Sequence, residues 1–244
     1  MNSAFRRHGI ERLSASSINA WLDSPGMWAL RYLANLKEDT SAAMARGLAV
    51  EAALLQVLHG KVAEDAASAA LDTFRQNLAG EVTEESENEE LLIVPMIEQL
   101  YRWEHPKVIA SQVKIEHWLE GVSIPLIGYV DFTFEDAPLL DLKTTTRIPS
   151  KPYPHHVRQV ALYMTARNER GALLYVSDKR QAYYEIDEAA RDKGMTQLHS
   201  AALSLERFLS RFDSSEDAIR CLPMNEDSYK FGKQAEQKLV ELHL

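Results

Sequence analysis

The chain has one cysteine, Cys221, among its 244 residues. A single thiol cannot close an internal disulfide, and it cannot supply a cysteine-ligated zinc or iron–sulfur site within one chain. Long apolar runs are missing as well, since none approaches the roughly 18 residues of a membrane-spanning helix. Arg6 and Arg7 are followed by no apolar stretch, so no secretory signal is expected and a cytosolic location follows. Glycine is sparse, and neither Gly60-Lys61 nor Gly232-Lys233 has the glycine spacing of a phosphate-binding loop. No internal repeat and no low-complexity linker is visible. Basic excess is lacking too: 27 Lys and Arg against 36 Asp and Glu leave a net charge of −9. That balance argues against a protein that coats nucleic acid indiscriminately, because phosphate binding draws on Lys and Arg to release counterions.

What is present is ordinary for a globular protein, 45% hydrophobic and 26% charged. The length suits one α/β domain with helical elaborations, and two small domains fit less well. Charge is unevenly spread. Residues 140–180 carry eight basic side chains (Lys143, Arg147, Lys151, Arg158, Arg167, Arg170, Lys179, Arg180) against three acids (Asp141, Glu169, Asp178). An acidic body with one basic face suits an enzyme that grips a polyanion only at its site, although a solvated charged face gives the same pattern.

Residues 14–36 predict two short helices, with Ser14 to Ser17 as cap and Pro25 as breaker. Helices are also expected over 42–59, 62–79 and 91–103, and the glutamate-rich segment Glu81 to Glu90 reads as a surface loop. Strands follow at 109–119, 124–134 and 139–145, joined by short turns that imply antiparallel neighbours. Pro152 and Pro154 lead into a helix at 155–168, then come strands at 172–177 and 181–186 and closing helices at 187–212 and 226–242. The strand–helix–strand segment makes a βαβ crossover.

Three acids stand out against this pattern. Glu51 lies on the stripe Met44, Leu48, Glu51, Leu55, Leu58, whose spacing marks one helix face. A carboxylate there requires a cation or a proton, unless it sits at the edge of the stripe and reaches water. Asp131 shares a strand face with Ile127 and Tyr129, while Leu139, Asp141 and Lys143 share one on the next strand. A hairpin turning about Asp136 sets Asp131 opposite Asp141, where like charges repel unless a divalent cation lies between them. Lys143, on the same side, can orient or deprotonate an attacking water or stabilise charge on a phosphorane, and a simple Asp–Lys ion pair is the plainer alternative.

Taken in order, Gly128-Tyr129-Val130-Asp131, Asp141-Leu142-Lys143-Thr144 and Gln159-Val160-Ala161-Leu162-Tyr163 resemble the motifs of RecB-type nucleases of the PD-(D/E)XK superfamily. Leu13-Ser14-Ala15-Ser16-Ser17 with Pro25, and Arg46-Gly47 before Glu51, resemble that family's N-terminal signatures, so the likeness spans residues 13–177. It implies a restriction-endonuclease-like α/β core of helix, three-stranded antiparallel meander, helix and strand, a mixed sheet flanked by helices. The core would comprise the 42–59 helix and residues 106–186, between a helical part over 1–105 and closing helices over 187–244, all one nuclease domain.

By the same resemblance, Glu51, Asp131, Asp141 and the Leu142 carbonyl would surround metal, Lys143 would be catalytic base or water-positioner, and Gln159 and Tyr163 would support the site. Ser16, Arg46, Thr144, Arg147, Lys151, His156 and Arg158 are the expected DNA contacts. Many relatives carry a four-cysteine iron–sulfur cluster and a histidine near the position of Glu51. This chain has Ser24 where a cysteine often precedes the proline, and a glutamate as the helix ligand, which favours Mg²⁺ or Mn²⁺ and no cluster. The activity implied is a stand-alone DNA exonuclease of recombination, repair or phage DNA processing, in the cytoplasm of a bacterium or a phage-infected host. Beyond DNA, its expected partners are further copies of itself or a recombination or annealing protein. The alternatives are an endonuclease or a flap- or spacer-processing nuclease, a non-catalytic DNA-binding or scaffold protein of the same fold, and a structural protein whose Asp131/Lys143 and Glu51/Arg46 are buried salt bridges.

Overall fold

The computed structural model describes residues 3–78, 82–225 and 231–242. Seven helices come first: α1 (Ala4–Arg7), α2 (Ala15–Asp23), α3 (Pro25–Tyr32), α4 (Ala42–Leu58), α5 (Ala63–Asn77), α6 (Glu84–Leu91) and α7 (Ile93–Tyr101). Three strands follow, β1 (Val108–His117), β2 (Leu126–Phe134) and β3 (Leu139–Thr144). Then come α8 (Pro154–Arg167), β4 (Gly171–Val176), β5 (Gln181–Ile186), α9 (Glu188–Leu209), α10 (Ser215–Arg220) and α11 (Lys233–Glu241).

Local chemistry accounts for most boundaries. Ser14 and Ser17 form a reciprocal capping box at the start of α2, and Pro25 opens α3 where its missing N–H goes unneeded. Ser41 caps α4, Asp187 caps α9, and Asn168 ends α8 in the left-handed conformation that asparagine tolerates.

The five strands form one sheet in the order β1-β2-β3-β4-β5. The first three make an antiparallel meander, α8 carries the chain to β4 parallel to β3, and β5 returns antiparallel. This is the mixed, helix-flanked α/β sheet that the motif order implies. Alternation along the strands sends Leu140, Leu142, Leu174 and Val176 into one core with α4, α5 and α7. Leu139, Leu173 and Tyr175 enter a second core with α2, α3, α8 and α9. Every residue of β4 is buried, as expected for a strand covered on both faces.

Three expectations are corrected. The buried face of α4 is Ala42, Ala45, Arg46, Ala49, Val50, Ala53, Leu54, Val57 and Leu58, so of the expected stripe Leu58 is buried, whereas Met44 and Leu48 are exposed. Small alanines let α4 pack closely on its neighbours, and they carry little weight in an apolar-stripe reading dominated by large side chains. The acidic segment is helical, not looped: Thr83 and Ser86 form a second capping box at α6, whose first turn holds Glu84, Glu85 and Glu87 against the helix dipole. Glu81 lies outside the described residues. The closing helix begins at Lys233, and residues 226–230 of the expected 226–242 span also lie outside. Helices α1 and α10 are too short to leave a periodic signal. Among the described residues, no helix is long and apolar enough to cross a membrane.

Candidate active site

The β2–β3 ladder is limited to the Phe132↔Leu140 pair, and its register sets Asp131 opposite Asp141 as the sequence suggests. Past that pair the Leu142 N–H donates to Oδ2 of Asp131 at 2.9 Å, so a side chain takes a bond that a strand could have supplied. Asp141 is fully buried. Its Oδ2 has only the Lys143 ammonium, at 2.7 Å and poorly aligned for a hydrogen bond, and its Oδ1 has no protein partner. An unsatisfied buried acceptor is costly, and native structures rarely keep one without a reason.

Glu51 reaches this place from the middle of α4. Its Oε1 accepts a hydrogen bond from Nε2 of Gln112 on β1, which also lies 3.4 Å from Oδ1 of Asp131. On the other side Lys143 Nζ donates to Oε1 of Gln159 at 3.2 Å, and Gln159 Nε2 donates to the Tyr163 hydroxyl at 2.7 Å. Residues one turn apart on α8 thus hold the lysine in place. Gly128 makes room for this: a Cβ there would lie 2.6 Å from Cε1 of Tyr163. Tyr163 is buried in the core beneath the site.

The electrostatics are those of crowded acids. Burial raises the pKa of Asp131 well above the usual carboxylate range, and the charges of Asp141 and Glu51 push the same way. Burial raises Asp141 against the pull of Lys143, and raises Glu51 against the Gln112 hydrogen bond. For Lys143 burial acts downward, but Asp141 and Asp131 outweigh it and the net shift is upward. In this arrangement the lysine is an ammonium rather than a ready base.

These donors fit a hard divalent cation. They are carboxylate oxygens, one of them is orphaned, and an added positive charge would relieve the repulsion. Among the described residues, no three acid, histidine or cysteine side chains converge into a preassembled metal shell. The predicted ligands Glu51, Asp131 and Asp141 are neighbours by charge but not a closed cage, with Gln112 between the first two. Two protein carboxylates completed by waters and substrate oxygens is the usual complement for Mg²⁺.

The predicted DNA contacts scatter. Arg46 is corrected: it is buried, ion-paired with Glu89 and donating to Thr144 Oγ1 at 3.4 Å, so it braces α4 against α6 and β3 and offers DNA no surface. The supposed Glu51/Arg46 and Asp131/Lys143 bridges are replaced by Arg46–Glu89 and Lys143–Asp141. His156 Nδ1 lies 2.7 Å from the Tyr175 hydroxyl, and burial, with Lys143 and His155 nearby, lowers its pKa to about 3. A pKa that low leaves the imidazole neutral near pH 7, packed against the Tyr175 ring. Arg158 donates to Asn19 and Gln197. Ser16, Arg147 and Lys151 are exposed, and Thr144 is half-buried beside Arg46. Ser16 also borders a cavity of about 350 Å³ lined by Tyr32, Tyr129, Gln159 and Tyr163, which adjoins the lysine support.

Gln112 is absent from the motif reading. A polar residue on a strand carries no signal by itself, and only the β1–β2 register and its backbone, at φ 50°, bring it to the acids.

The fold is a mixed sheet flanked by helices, and the site gathers three acids and a lysine against it. A sequence profile of the PD-(D/E)XK nuclease superfamily matches residues 12–241. The chain belongs to the PD-(D/E)XK nuclease superfamily, whose members generally use divalent metal ions. Among solved structures it is similar to the "Putative exonuclease" from Eubacterium rectale, with 13% identity over 81% of this chain and 82% of that one and a TM-score of 0.56. So remote a likeness speaks for the fold alone. The crystal structure of SSO0001 overlaps 36% of this chain and 48% of that one at 23% identity, and its TM-score of 0.30 carries no argument. No curated protein matches.

Proposed function

We propose that this chain is a metal-dependent DNA exonuclease of the RecB type, a single nuclease domain that hydrolyses phosphodiester bonds of linear DNA in the cytoplasm, in recombination, repair or phage DNA processing. The observation that carries it is Asp141, fully buried with Oδ1 unpartnered, beside Asp131 and an ammonium held by Gln159. Glu51, Asp131, Asp141 and the Leu142 carbonyl are the groups that would hold Mg²⁺ or Mn²⁺. Such an ion supplies Lewis acidity toward the phosphate and a water of lowered pKa.

The protein's own residues do the rest. Lys143 presents positive charge toward the phosphoryl group as its charge grows, and Gln159 and Tyr163 keep that charge from swinging away. The Leu142 N–H fixes the Asp131 carboxylate. Ser16, Thr144, Arg147, Lys151 and Arg158 are the candidate contacts to DNA. The exonuclease reading follows the motif order, and the name of the Eubacterium rectale protein is in keeping with it. Copies of the chain or an annealing protein are the partners to look for.

A time course on end-labelled linear duplex and on covalently closed circular DNA, with Mg²⁺, with Mn²⁺ and with EDTA, tests this. The expected result is degradation of the linear form alone, abolished by EDTA and lowered at least 100-fold in Lys143→Ala while DNA binding persists. Cleavage of the circle would make the enzyme an endonuclease. Unimpaired Lys143→Ala would remove the site from consideration.

A further inference from the structure

Gln112 lies directly across β1–β2 from Asp131, between the Ser111↔Phe132 and Val113↔Val130 pairs. Its backbone is left-handed, φ 50°, in the middle of an extended strand. For a residue with a Cβ that conformation costs about 1 kcal/mol or more, and it persists where surroundings impose it, commonly at functional sites. Glycine or asparagine would meet the backbone demand more easily, so the backbone alone does not account for glutamine. The side chain does. Its Nε2 carries two hydrogens and faces two acceptors, Glu51 Oε1 and Asp131 Oδ1.

An amide nitrogen between two mutually repelling carboxylates occupies the place, and performs part of the task, of a shared cation. Resting on the metal-site reading above, we infer that Gln112 is a positioning residue that stands in for the ion: its amide bridges Glu51 and Asp131 until a divalent cation displaces it, and so sets how tightly that cation is held. Gln112 is exposed, so the amide can swing outward without opening a core. A neutral amide offsets less of the repulsion than a divalent ion does, which makes the exchange favourable once the ion arrives. Its hydrogen bonds to charged acceptors make the exchange a competition.

Titration calorimetry of Mn²⁺ into the full chain, wild type against Gln112→Ala, reads the competition without reference to activity. Removing a competitor should tighten Mn²⁺ binding about tenfold, and the variant should melt earlier than wild type in EDTA. Gln112→Gly, which suits the left-handed backbone, repeats the measurement if the alanine variant folds poorly. Unchanged affinity in both variants overturns the inference, and so does weaker affinity, which would instead make the Gln112 carbonyl a ligand. If wild type takes up no Mn²⁺, the metal-site reading itself fails and the inference falls with it. Uptake by wild type without tightening in the variants sinks the inference alone.

Discussion

The Asp131 carboxylate accepts the Leu142 backbone N–H at 2.9 Å, tying the acid of one strand to the residue that follows Asp141 on the next. The bond fixes the spacing of two acids that burial drives toward protonation, Asp131 further so by the charges of Asp141 and Glu51 and Asp141 against the pull of Lys143. Asp131→Asn keeps an acceptor for that N–H and removes one charge. The expected outcome is loss of nuclease activity together with a gain of about 1 kcal/mol in EDTA, or roughly 2–4 °C in melting temperature for a chain of this size. Calorimetry at pH 8 checks it, and a lower melting temperature would show that the charge is well paired.

The raised carboxyl pKa values fix the sign of a pH effect. Glu51, Asp131 and Asp141 hold more protons folded than unfolded from their ordinary values of 4.5 and 3.8 upward. Stability in EDTA should therefore fall as pH rises through that window toward the raised values. Mn²⁺ should oppose the fall, because it binds the ionised acids of the folded form, and its stabilisation should grow with pH as RT ln(1 + [L]/Kd). Melting curves from pH 4 to 8, with and without Mn²⁺, should diverge. Parallel curves would count against a cation at this site.

Gly128→Ala would bring a Cβ to within 2.6 Å of the Tyr163 ring. The ring is buried and tethered through Gln159 to Lys143, so relief must displace the lysine support. A cost of about 1–3 kcal/mol is expected for such overpacking. The turnover number should drop while affinity for DNA holds, and steady-state kinetics would separate the two.

Arg46→Ala distinguishes a scaffold residue from a DNA contact. It leaves Glu89 in a mostly buried position without its cation, at an expected cost of about 3–5 kcal/mol. Denaturant unfolding should register that loss. The salt dependence of DNA binding in the folded fraction should stay the same, since no phosphate contact is removed.

The order of the five strands, the βαβ crossover and the register that sets Asp131 opposite Asp141 were legible because they rest on near-neighbour rules. Alternation along a strand, a turn about Asp136 and prolines at helix starts are all written locally. The α4 face was not, because alanine's contribution depends on what packs against it, and Arg46 looked like a surface cation because its partner Glu89 lies 43 residues away on a helix that reads as a loop.

By itself, the sequence supplied three acids and a lysine in their motif order, and with a single cysteine it ruled out a cysteine-held cluster within the chain. Only the tertiary structure decided that Lys143 pairs with Asp141, that His156 stays neutral against Tyr175, and that Gln112 reaches Glu51 and Asp131. Charge state and partner depend on distance and burial in space, and those are set by helices and strands far apart in the chain.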